Sequence, residues 1–129
     1  MKRKLAVILS SAFFAAMAVS ASARAEGEKP YSVVDGKVDA HTYEGWQAFR
    51  HAGCGTCHGG AGQGGAAPSL VERLKTVSYE QFKNSVTNGK NLMPPWGTNK
   101  LVMENLDNIY AYLKARSDGV LGEGKLEKP

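Results

Sequence analysis

Cysteine is scarce in this chain: two residues in 129, beside three histidines. A four-thiolate zinc site needs twice that number, so it is excluded. Long apolar runs are missing as well. The longest, Leu5 to Val19, covers about fifteen residues where a spanning helix needs about twenty. No internal repeat is present, which removes solenoids and propellers from consideration. Acidic residues are absent from the first twenty-five positions, while Lys2, Arg3, Lys4 and Arg24 stand there. That basic start, the short apolar run and Ala23-Arg24-Ala25 form the pattern of a secretory signal peptide cleaved after Ala25. Without those four basic residues, twelve of the sixteen remain against twelve acidic ones, so the mature chain is formally neutral. The sequence pI of about 9.1 then belongs to the leader and implies nothing about nucleic acid. A mature length of 104 residues means one domain.

Both cysteines fall in one stretch, Cys54-Gly55-Thr56-Cys57-His58. Cys-x-x-Cys-His is the attachment signature of a c-type haem. Two thiols three positions apart add to two vinyl groups, and the adjoining imidazole swings under the iron. The competing readings are a thiol redox couple, a plain disulfide or half a zinc site. Export argues against an unmodified pair, which would oxidise outside the cytoplasm. A redox Cys-x-x-Cys also follows a strand in a βαβ frame, whereas a helical pattern precedes this one.

Tyr31 to Val38 places Asp35-Gly36 between β-branched runs, which predicts a short hairpin lying as a flap on the domain. Ala40 to His51 reads as a helix ended by Gly53, with Gly45, Trp46 and Phe49 towards one side. Gly59 to Ala67 contains no large apolar side chain, as suits a loop wrapped over a flat ligand. Leu70, Val71 and Leu74 suggest one or two helical turns. Ser78 and Gln81 form a capping box for a helix carrying Tyr79, Phe82 and Val86 and closed by Gly89. Met93-Pro94-Pro95-Trp96-Gly97 must be an extended loop. A last helix is predicted over Lys100 to Ser117, its buried stripe Leu106, Ile109, Tyr110 and Leu113, with Lys114 and Arg116 at its negative end. Asp118 to Pro129 reads as a weakly ordered tail.

An iron held by His58 has a second face to fill. The available donors are Met93, Met103, His41 and His51. Met93 is favoured, because its proline-stiffened loop holds a thioether at little entropic cost. Met103 shares a helical face with residues 106, 110 and 113, where core packing accounts for it. His51 lies on the proximal side of the attachment turn, and His41 at a polar helix start. A thioether opposite an imidazole raises the reduction potential and closes the coordination sphere, as outer-sphere electron transfer requires.

With Cys54, Cys57, His58, Pro68-Ser69-Leu70, Met93-Pro94 and a final aromatic helix in that order, the chain resembles class I cytochromes c over nearly all of its mature length. The resemblance implies an all-α fold in which the N- and C-terminal helices cross and one covalently attached haem c lies between loops. It implies Gly45 and Phe49 packed against Ile109 and Tyr112, and the Pro68 carbonyl accepting a hydrogen bond from His58. Gly45 and Phe49 stand one residue further from Cys54 than is usual in that family, which implies an extra residue near Ala52-Gly53. The implied division is a signal peptide (1–25), an N-terminal extension (26–40), a cytochrome c domain (41–117) and a flexible tail (118–129).

The runs Val33 to Asp39, Leu74-Lys75-Thr76, Met93 to Asn99 and Tyr110 to Arg116 look like the small periplasmic cytochromes that take electrons from pyrroloquinoline-quinone (PQQ)-dependent alcohol or methanol dehydrogenases. The implied protein is a periplasmic monomer and electron carrier, not an enzyme, passing electrons towards a terminal oxidase. Its docking patch would be Ala66, Ala67, Pro94, Pro95 and Trp96, rimmed by Lys83, Lys90 and Lys100. The alternative is a general shuttle between a quinol-oxidising complex and an oxidase or reductase.

Overall fold

The computed structural model describes residues 27–129. The expected signal peptide lies outside the described residues. Among the described residues six helices and one two-stranded hairpin follow in chain order, and none of these helices is long and apolar enough to cross a membrane.

The hairpin joins β1 (Val33–Val34) to β2 (Lys37–Val38), pairing Val33 with Val38 and Val34 with Lys37. Asp35 and Gly36 at its tip have φ of 50° and 75°, both left-handed as a two-residue type I′ turn requires. Val38 is buried, and Tyr31 and Val33 pack on the core, so the hairpin is the flap the sequence suggests. Asp39 then changes role. Its carboxylate accepts from the Thr42 backbone N–H at 2.9 Å and from Ser32 N–H, capping α1 (Ala40–His51) while holding the flap to it.

Gly53, at φ 80°, ends α1. Its N–H bonds the Arg50 carbonyl at 3.1 Å and the Cys54 N–H bonds the Phe49 carbonyl at 3.2 Å. This pair of bonds is a Schellman motif. It turns the chain from α1 into α2 (Gly55–His58). After the glycine-rich loop come α3 (Leu70–Arg73), capped by Ser69, and α4 (Tyr79–Asn88), which carries the complete Ser78/Gln81 capping box.

The expected single final helix is two: α5 (Lys100–Glu104) and α6 (Leu106–Ser117). Asn105 separates them at φ −111° and ψ 14°. Its side-chain amide donates to the Leu101 carbonyl at 2.9 Å, the local competition with backbone bonding by which asparagine interrupts helices.

The main helix contact is between α1 and α6. A Cβ built on Gly45 would lie 1.8 Å from the Asn108 carbonyl oxygen, so only glycine permits this crossing. Beside it, the Phe49 and Tyr112 rings stand 5.6 Å apart, centroid to centroid. The implied Gly/aromatic crossing is therefore present, with Gly45 meeting the backbone at Asn108 and Ile109. Leu106, Ile109 and Leu113 are buried as expected, whereas Tyr110 is half-buried against Tyr79 and Phe82. The helix is covered on further sides too, since Ala111, Tyr112, Ala115 and Arg116 are also buried.

Residues 118–129, expected to be a flexible tail, form no helix or strand but lie on the core. A second Schellman motif, with Gly119 at φ 75° and Val120 N–H on the Ala115 carbonyl at 3.2 Å, turns the chain back onto the core. Leu121 and Leu126 are consequently buried in the main cluster. Two leucines spaced among polar residues are a faint sequence signal, and the gain from burying them depends on the groove that receives them.

Candidate metal centre

Cys54, Cys57 and His58 come together on the single turn of α2 and its start. Both cysteines are free thiols, Cys54 half-buried and Cys57 exposed. Burial pushes the Cys54 thiol up, away from the thiolate that disulfide exchange needs, and this weighs against a redox couple. His58 Nδ1 lies 2.8 Å from the Pro68 carbonyl oxygen. A carbonyl only accepts, so Nδ1 carries the proton and Nε2 keeps its lone pair for a metal.

The loop from Gly59 to Ala67 folds back on the attachment turn. Gly64 N–H donates to the His58 carbonyl at 2.7 Å and Ala67 N–H to the Cys57 carbonyl at 2.9 Å. A Cβ on Gly59, where φ is 84°, would meet Gln63 and the Gly64 carbonyl at 2.7 Å. Glycine is thus demanded by the approach of the loop to the motif's own backbone. This is what delivers Pro68 to His58.

Met93 comes from a different part of the chain, the segment between α4 and α5. Lys90 and Met93 exchange backbone hydrogen bonds of 3.1 and 3.0 Å, and the loop is pinned to α4 by Trp96 N–H on the Val86 carbonyl and Gly97 N–H on the Thr87 carbonyl. Met93 is half-buried while Leu92 at the tip is fully exposed. Gly89 was legible in the sequence as a helix cap; its second role was not. A Cβ there would lie 2.7 Å from the Met93 carbonyl oxygen and 2.9 Å from Pro95 N. The only hint was a glycine placed four residues before Met-Pro-Pro.

The rival donors are placed differently. His41 and His51 are exposed in the first and last turns of α1. Met103 packs against the core with its sulfur 4.0 Å from Thr87 Oγ1. Among the described residues, no group of three or more His, Cys, Asp or Glu side chains is arranged to hold a metal ion. A cavity of about 450 Å³ opens elsewhere, lined by Trp46, Arg50, Gln63, Glu123 and Lys125 among others. It contains neither thiol, imidazole nor thioether, so the chemistry places the centre at α2 instead. Two thiols on one turn, an imidazole oriented through Nδ1 and a thioether on a stiff loop are the donors a covalently held haem uses. The residues present fit that group.

Of the residues expected to form the docking patch, Ala66, Pro94 and Pro95 are exposed, Ala67 and Trp96 are half-buried, and Lys83, Lys90 and Lys100 are exposed.

Comparison with known proteins agrees. Residues 40–113 match the family model described as cytochrome c oxidase, cbb3-type, subunit III. Cytochrome c-555 of Methylococcus capsulatus is 48% identical over 93 residues, 71% of this chain and 76% of that protein. Cytochrome c-553I of Paracoccus denitrificans is 37% identical over 114 residues, 81% of this chain but only 50% of that protein. The crystal structure of the c-type cytochrome XoxG from Methylobacterium extorquens AM1 superposes with a TM-score of 0.69 at 34% identity, covering 81% of this chain and 75% of that one. The family match, these relatives and the crossing of α1 with α6 beside a Cys-x-x-Cys-His turn lead to one conclusion: the chain belongs to the class I cytochromes c, a monohaem electron carrier rather than an enzyme, with its haem c covalently attached.

Proposed function

We propose that this cytochrome works in the periplasm, accepting single electrons from a PQQ-dependent alcohol or methanol dehydrogenase and passing them towards a terminal oxidase. Cys54 and Cys57 would hold the haem covalently, and His58 and Met93 would supply the imidazole and thioether that ligate its iron. Haem c, when bound, supplies a one-electron couple. The protein's own contribution is positional. Pro68 fixes the tautomer and raises the basicity of His58 through the 2.8 Å hydrogen bond. The loop pinned to α4 restrains Met93, whose thioether would close the iron to substrate and suit the group to outer-sphere electron transfer. Each docking moves one electron, so a quinol donor that gives up two requires two encounters.

The observation that carries this reading is the Met93 loop: a thioether in a Met-Pro-Pro-Trp-Gly-Thr-Asn run, bonded to Lys90 at its start and to α4 through Trp96 and Gly97. The same run carries the resemblance to cytochromes of quinoprotein dehydrogenases. The exposed Ala66, Pro94 and Pro95 with Lys83, Lys90 and Lys100 suit a small transient interface. The description of the matching family model, an oxidase subunit, supports an oxidase as acceptor. The export pattern at residues 1–25 supports the location.

Stopped-flow mixing of oxidised holocytochrome with a substrate-reduced quinoprotein alcohol dehydrogenase tests the donor. Reduction well above the rate without dehydrogenase, weakening as salt rises, is expected. No reduction above background would overturn the donor assignment and favour the general shuttle.

A further inference from the structure

Arg116 is a charged side chain only 8% exposed, and the electron-carrier chemistry makes no use of it. Burying a guanidinium is costly unless its donors are matched. Its one carboxylate neighbour, Glu123, is 3.5 Å away and itself 64% exposed, a weak partner. The close acceptors are two backbone carbonyls from separate segments. Arg116 Nε donates to the Ala61 carbonyl at 3.1 Å, and Nη1 to the Leu121 carbonyl at 2.8 Å.

These two carbonyls differ in what they control. Ala61 lies at the turn of the loop between His58 and Pro68, and the neighbouring Gly62 carbonyl accepts from Leu70 and Val71 N–H at 2.8 and 3.1 Å. The loop apex is therefore held between α3 and Arg116. Leu121 belongs to the carboxyl-terminal segment, which turns back after Gly119 and buries Leu121 and Leu126. One planar, permanently charged fork joins the segment to the loop, a geometry that lysine cannot reproduce.

We propose that Arg116 is a positioning residue for the haem: by fastening residues 118–126 to the Gly59–Ala67 loop it keeps the Pro68 carbonyl on His58, and so sets the reduction potential. This rests on His58 being an axial ligand. Relaxing the His58 hydrogen bond leaves a less electron-rich imidazole, which favours the ferric state less, so the potential moves upward.

The test uses holoproteins carrying R116M or R116K and a holoprotein ending at Val120, read by amide hydrogen exchange and by potentiometry. In R116M the Gly64 and Ala67 amides are expected to exchange about tenfold faster, the effect of one lost hydrogen bond, with the Phe82 amide of α4 unchanged and the potential raised. R116K falls between R116M and wild type. The shortened chain shifts in the same direction as R116M, while E123Q changes neither readout. Wild-type loop exchange and potential in folded R116M would overturn the proposal. So would a uniform rise in exchange across α1, α4 and α6 at unchanged potential, which would make Arg116 structural only. Should R116M fail to fold, R116K and the shortened chain decide by the same two readouts. The ligand assignment is checked separately in the wild type: if its nuclear magnetic resonance spectrum shows no haem-shifted His58 ring, that reading fails whatever the arginine does.

Discussion

At the scale of single residues, the proposed chemistry rests on one acceptor and one thioether. Pro68 has no N–H of its own, so its carbonyl carries the polar contact it makes to His58. Replacing Met93 by Ala in the holoprotein is expected to abolish the sulfur-to-iron absorption band and lower the reduction potential, because a thioether favours ferrous iron. An unchanged band would remove Met93 from the ligand set. Gly89 supports that loop from behind. At φ 76° and ψ 168° it occupies a region essentially reserved for glycine, and Gly89→Ala would also bring Cβ within 2.7 Å of the Met93 carbonyl oxygen. Denaturant titration should show a loss of about 2 kcal/mol, together with a weaker Met93 absorption band in the folded protein. Cys54, Cys57, His58 and Met93 stand out in the sequence as candidate haem-holding residues because each is named by its donor atom and its place in a motif. Arg116 does not: from sequence it is one more cation near a helix end, and only the returning segment makes it buried.

Among the elements, the crossing of α1 and α6 is the least adaptable. Gly45→Ala forces Cβ to within 1.8 Å of a backbone oxygen, which no rotamer change relieves, so the helices must separate along Phe49 and Tyr112. The expected cost is about 3 kcal/mol or more, seen as a lower thermal midpoint. A midpoint within a degree of wild type would mean that the contact is slack. Some helix ends were legible because their signals are local. Ser78 accepts from the Gln81 backbone N–H, and Gly53 meets a backbone requirement that depends on nearby residues alone; the caps at Asp39 and Asn99 are equally local but are read from the structure. The break at Asn105 escaped notice for the opposite reason. Apolar periodicity runs straight through it, and the deciding contact is a side-chain amide on the Leu101 carbonyl.

Across the whole molecule, Asp118 joins the two ends of the described chain. It accepts from Lys29 at 2.7 Å, Tyr31 at 2.6 Å and Lys114 at 2.9 Å. Burial works to raise this carboxyl, but the hydrogen bonds from Lys29, Tyr31 and Lys114 outweigh it and hold it well below the usual carboxylate range. A carboxyl lowered in the folded state contributes stability that is fully present above its unfolded value, near 4, and is lost as the pH falls below that towards the folded value. Asp118→Asn should therefore cost about 1–2 kcal/mol at neutral pH and flatten the fall in stability below about pH 4. An acid limb as steep as that of the wild type would show that other carboxylates govern it.

The sequence by itself determined the cofactor, the hairpin, the helices at 40–51 and 79–88 and the Ser78 cap, since those depend on motif chemistry and on contacts within a few residues. Tertiary structure alone decided which residues close over them: the split final helix, the carboxyl-terminal segment laid on the core, the Arg116 fork and the Asp118 junction. Each of these joins groups that sequence distance keeps apart, from 55 residues for Arg116 and Ala61 to 89 for Lys29 and Asp118, or turns on which local bond wins once neighbours are packed. Burial and hydrogen-bond partners are properties of the assembled neighbourhood, and a linear pattern of apolar and polar residues does not contain them.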